Sequence, residues 1–151
     1  MDPAKVFFIA CLALAFYLVG AIWAHEVDIF RSWKLYDVDS FHKAQQVHFR
    51  KLPYWVFTPL GLALISSIVL IWYHPEASPT WGITGNLVFQ IASLVLTAIF
   101  WGPWQAKLST DPDGPNGVYL ARILRTHWIR TLFINAYAFF MFAWAIDVFA
   151  R

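Results

Sequence analysis

Four stretches of the chain are almost unbroken apolar sequence: residues 6–24, 54–73, 83–101 and 132–149. Each holds 18 to 20 residues without Lys or Arg, close to the roughly 20 that a helix needs to cross a bilayer core. Their polar residues do not alternate with apolar ones as the strands of a membrane barrel require. Backbone groups in lipid must find their hydrogen bonds internally, which leaves the helix as the spanning element. The pattern predicts an all-α fold, an integral membrane four-helix bundle forming one domain over residues 1–151. The first run ends in "AIWA", like a signal-peptide cleavage site, but its apolar core exceeds the usual length of about 7–15 residues. It is therefore expected to be the first span.

Between the runs the pattern changes. "DVDSFHKAQQVHFRKL" predicts a helix with Asp39 or Ser40 as N-cap, continuing through Lys51. Pro53 and Pro59 then predict a kink before the second span. "STDPDGPNG" predicts a turn. Its Asp111-x-Asp113-Gly opening is that of a calcium loop, but its prolines and the absence of Glu at the twelfth position do not continue that pattern. "VYLARILRTHWIRT" reads as an amphipathic lead-in to the fourth span.

Composition sharpens the class. Of 151 residues 60% are hydrophobic, 19% aromatic and only 13% charged, where a soluble domain carries about 25% charged residues. Mean hydropathy is +0.55. The net charge of +2 gives no reason to expect nucleic acid as a partner. Where the charges lie matters more. Nine of the 11 Lys and Arg residues fall in the segments after the first and third runs, and Lys5 and Arg151 are the others. The positive-inside rule then predicts cytoplasmic loops at that end and both termini on the non-cytoplasmic side of a multi-pass protein of the cell (inner) membrane. Aromatic belts fit this order, with Trp23, Tyr54, Trp55, Trp101, Trp104 and Trp128 at the inner interface and Trp72, Tyr73 and Trp81 at the outer one.

Within the third run, Asn86, Gln90, Ser93 and Thr97 are spaced by four, three and four, so they occupy one stripe of a helix. Such a stripe either ties helices together by hydrogen bonds or lines a polar cavity. His127, Thr131 and Asn135 recur at intervals of four at the start of the fourth span, with Trp128 and Arg130 beside them. His25, His48 and His127 stand at the same end of three different spans, and a compact bundle brings them towards Gln105 and Arg130. Imidazole moves protons or binds metals and haem, and Arg holds oxyanions. Interfacial histidines otherwise bond to lipid or to a nearby carboxylate, here Glu26 or Asp28, and Arg side chains reach for phosphate headgroups. The two halves of the chain each place a His and an Arg before their second span (His48 and Arg50, His127 and Arg130), though at different spacings.

Some chemistry is missing. No Gly-rich phosphate loop, G-x-S-x-G elbow or HExxH motif is present, and the single Cys11 has no partner for disulfide chemistry. No Cys/His pattern points to a metal. The spans lack a mid-depth charge of the kind that pumps and transporters use, Asp147 lying near the end of the fourth.

The chain resembles a family of small bacterial four-span proteins, most without assigned activity, related loosely to the anthrone-oxygenase-like membrane proteins. The resemblance rests on His25 after the first span, His48-x-Arg50 and Pro59 around the start of the second, Pro103 and Gln105 after the third, and Trp128, Arg130 and Thr131 in "HWIRT". Gln105 stands where the resemblance implies a His. Anthrone oxygenases oxidise polycyclic phenolic substrates without bound metal or flavin. The resemblance implies the four-span fold and a lipophilic aromatic substrate.

These readings converge on a membrane protein that binds, or oxidises, a small hydrophobic aromatic or isoprenoid-like molecule at a cytoplasmic-side site. His48, His127 and Arg130 are the expected catalytic residues. His25, Arg50, Gln90, Trp101, Trp104, Gln105, Trp128 and Asn135 are the expected ligand contacts. No metal or other cofactor is assigned, and the expected partners are membrane lipids and the hydrophobic molecule. Two alternatives stay open. One is a non-catalytic accessory subunit of a larger membrane complex, or a homo-oligomer, docking through Phe139, Phe140 and Phe142. The other is a b-haem protein using two of the histidines.

Overall fold

A computed structural model describes residues 2–76 and 78–150. It contains four helices long and apolar enough to cross a membrane: α1 (Pro3–Leu35), α2 (Val38–Val69), α3 (Thr80–Thr110) and α4 (Val118–Phe149). No strand occurs among the described residues. The helices hold 31 to 33 residues. At 1.5 Å per residue each is roughly 47–50 Å long, some 15–20 Å more than a hydrocarbon core. The excess lies at the basic end, because the apolar runs begin near the opposite end of the bundle.

Local chemistry sets the ends. Asp2 accepts a hydrogen bond from the Ala4 amide at 3.0 Å, with Pro3 in the first turn of α1. α2 starts two or three residues earlier than the sequence suggests. Its N-cap is Asp37, whose carboxylate accepts from the Ser40 amide at 2.9 Å and the Ser40 hydroxyl at 2.7 Å, where Asp39 or Ser40 was expected. The amide at the third helical position is an orphan donor, and Asp37 is the residue spaced to take it. These bonds hold the Asp37 carboxyl below the usual carboxylate range. In the loop after α3, Gly114 adopts φ +53°, a left-handed turn conformation suited to glycine.

Three buried clusters stack along the bundle. Phe8, Cys11, Ala15, Tyr137, Met141 and Trp144 fill the end remote from the basic loops. Leu18, Ile22, Leu60, Ala63 and Ile134 fill the middle. Phe30, Trp33, Phe41, Leu108, Leu120 and Ile123 close the basic end. Between lipid-facing helices no hydrophobic drive exists, so close packing has to supply the attraction. Gly82 shows how: a Cβ there would lie 2.7 Å from the Trp144 ring, so the indole rests directly on the α3 backbone. Outward faces are apolar, with Phe16, Ile65, Val88, Phe139 and Ile146 exposed.

Candidate functional site

Three of the four helices loosen into a single π-helical turn at the same end of the bundle: His25–Ile29 in α1, Pro53–Phe57 in α2 and Thr97–Trp101 in α3. Such turns interrupt the regular hydrogen-bond ladder and recur at functional sites. The prolines explain the second one. Pro59 has no N–H for the Trp55 carbonyl, and the Tyr17 hydroxyl donates to that oxygen instead at 3.0 Å. The Pro53 carbonyl accepts from the Thr58 amide and from the Thr58 hydroxyl at 2.7 Å. At the place where a kink was expected between an inner helix and the second span, α2 carries this wide turn and continues as one helix. α4 passes the site as an unbroken α-helix, so the two halves of the chain differ here.

These turns and α4 enclose a polar cluster. His25 stacks on Trp55 with ring centroids 4.7 Å apart, and lies 5.4 Å from His48 and 6.4 Å from His127. Its Nδ1–H donates to the Ala21 carbonyl at 2.8 Å. His127 is 1% exposed, and its Nδ1–H donates to Glu26 Oε2 at 2.9 Å. The other Glu26 oxygen accepts from Arg31 Nη2 at 2.9 Å. A carboxylate on Nδ1 fixes the tautomer and leaves Nε2 of a neutral ring as a base. That Nε2 is buried without a protein partner, as is Nε2 of His48. The imidazoles do not pool their nitrogens: among the described residues no three His, Cys, Asp or Glu side chains are arranged to hold a metal ion.

Arg130 is 6% exposed and its guanidinium lies 5.9 Å from the Trp101 ring centroid. Among the described residues no carboxylate pairs with it, and its Nε has no hydrogen-bond partner. With His25 and Gln105 it lines a cavity of about 20 Å³, whose other walls are apolar, among them Leu52, Val56, Leu60 and Ile134.

The remaining expected contacts divide. Trp101 is buried and donates to the Thr126 hydroxyl at 3.2 Å. With Trp104 and Thr126 it lines a groove of about 230 Å³. Trp104 is also faced by Arg122. Arg50 and Trp128 are exposed and line neither space. Asn135 ties α4 to α1, accepting from Trp23 Nε1 at 3.3 Å. Asn86, Gln90, Ser93 and Thr97 are all buried, and Asn86 accepts from the Ser67 hydroxyl at 3.1 Å. Of the aromatic face on α4, Phe139 and Phe142 are exposed, while Phe140 packs on Trp81 and Phe89.

Comparison with protein-family models, curated proteins and solved structures finds no match to this chain.

Glu26 was expected only as one of two carboxylates, with Asp28, to which an interfacial histidine bonds; it is Glu26 that does so, to His127. It follows His25 directly, and neighbours on a regular helix diverge by about 100°, so periodicity points only one of them inward. The π turn buries both. A carboxylate beside a histidine at the end of an apolar run was the available signal.

Proposed function

We propose that this chain is a multi-pass protein of the cell (inner) membrane that binds a lipophilic molecule through an anionic or hydrogen-bond-accepting head. The observation that carries the reading is Arg130, a buried cation without a carboxylate partner beside a cavity. A buried charge without a counter-charge costs several kcal/mol in a low dielectric, more than the roughly 2 kcal/mol that a desolvated contact with the Trp101 ring returns. A bundle made only for packing has no use for that cost, and a site for a carboxylate, phenolate or enolate does. Gln105 and His25 supply further polar groups on the cavity wall. His127, held by Glu26, lies one helical turn from Arg130 behind the cavity wall and does not itself line the cavity. An ionised polycyclic phenol, the type of substrate that the likeness to anthrone-oxygenase-like proteins suggests, meets these requirements.

Nine cationic residues at one end support placing that end, and the site, on the cytoplasmic side with both termini opposite. The site then opens where the helices leave the hydrocarbon, at the depth where an amphiphile's head rests.

The test is a titration of the purified protein with 2-naphthoate, followed by quenching of tryptophan fluorescence, with naphthalene as the uncharged control. Saturable quenching by the acid alone, weakened at least about tenfold in Arg130→Met, supports the reading; that loss corresponds to about 1.4 kcal/mol. Equal response to acid and hydrocarbon, or an unchanged affinity in the variant, rejects it.

A further inference from the structure

The cavity lined by Arg130 and His25 cannot contain the whole of a lipophilic molecule. At about 20 Å³ it has room for little more than one water or a head-group oxygen. Space for a larger body lies close by. A groove of about 210 Å³ runs between α2 and α3, lined by Phe57, Leu60, Gly61, Leu64, Gln90 and Leu94. A small void of about 10 Å³ lies between groove and cavity. It shares Leu60 and Gln90 with the groove, and Leu18, Leu60 and Ile134 with the cavity. Leu60 therefore touches all three spaces. Phe57 and Leu94 on the rim are 42% and 43% exposed, so the groove opens sideways, towards the hydrocarbon of a bilayer.

We infer that the α2/α3 groove is the apolar subsite and lateral entrance of the Arg130 site, taking the hydrocarbon body of a molecule whose anionic head passes Leu60 to reach the guanidinium. The inference rests on the ligand-binding reading above and adds where the body lies and how it arrives. A substrate already dissolved in the bilayer reaches the groove without crossing water. The groove floor is bare at Gly61, where an added Cβ would meet no atom within 4 Å. The groove is apolar except at Gln90, which is 3% exposed and sits where groove and void meet. An apolar body with a polar end fits that order of surfaces, and a polar solute does not.

The experiment uses the full chain in lipid nanodiscs and a hexadecanoate carrying a diazirine in mid-chain, photolysed and mapped by peptide mass spectrometry. Labelling is expected on Phe57, Leu64 and Leu94. It should fall at least about tenfold in Arg130→Gln, which removes the head anchor, and equally in Gly61→Phe, which fills the groove. Gly61→Leu serves as a smaller plug if the Phe variant is not folded by circular dichroism. Labelling that depends on Arg130 but maps elsewhere, or that survives both Gly61 variants, overturns the groove and leaves the head-group site standing. Labelling that ignores Arg130 and spreads over exposed faces such as Phe139 and Ile146 overturns the ligand-binding reading, and the groove with it.

Discussion

Glu26 joins two partners of opposite character. Arg31 is 61% exposed at its side chain, whereas His127 is 1% exposed. Equal distances of 2.9 Å do not make the two contacts equal in energy. The Arg31 pair is screened by water and is worth about 0–1 kcal/mol. The bond to His127 is buried and charge-assisted, and its loss strands a donor, costing about 1–3 kcal/mol. Glu26→Ala should therefore lower the unfolding free energy by about 1–3 kcal/mol, and Arg31→Ala by less than about 1, measured by unfolding in mixed detergent. A larger loss from Arg31→Ala would contradict this ranking. At this scale the sequence is legible as far as helical geometry carries. His127 and Arg130 are three apart and share a face; both are buried. His48 and Arg50 are two apart, about 200° around a helix, so one had to point outward, and it is Arg50. Trp128 follows His127 directly, about 100° further round the helix, and is exposed. That a histidine meets Glu26 was readable, but not which one, because its partner lies 101 residues on and its inward direction depends on a π turn.

Among the elements, the stripe from Asn86 to Thr97 was the most readable feature, because spacings of four and three admit one helical face only. The π turns were not readable. Proline marks where a ladder is broken, but not what takes the freed carbonyl: the Trp55 oxygen that Pro59 leaves open is taken by Tyr17, 38 residues earlier. Contact between α3 and α4 depends on small residues. Gly82→Val would drive a side chain into the Trp144 ring, which lies 2.7 Å from the position of a Cβ. Overpacking of this kind costs about 1–3 kcal/mol, and the variant should melt at lower temperature than the parent in the same detergent. Gly61→Ala, made where nothing lies within 4 Å, should melt no lower than the parent. If both changes are tolerated alike, the close α3/α4 approach is not as described.

For the whole molecule, the spans were legible because lipid imposes length and apolarity on each helix, and the crowding of the helix ends followed from there being four of them. The order of the chemistry within that end was not, since it depends on contacts between residues remote in sequence. Orientation is open to direct measurement: in a Cys11→Ala background, Glu76→Cys should react with an impermeant thiol reagent on intact cells, and Asn116→Cys only after lysis. The reverse pattern would place the site on the other side of the membrane. The central claim is that Arg130 is kept for a ligand at the expense of packing. Melting temperature and 2-naphthoate affinity measured together on Arg130→Met decide it. A buried guanidinium replaced by a flexible apolar chain should leave stability unchanged or raised, while affinity falls at least about tenfold. A variant that melts lower and binds as tightly as the parent would show that Arg130 serves the fold and not a ligand.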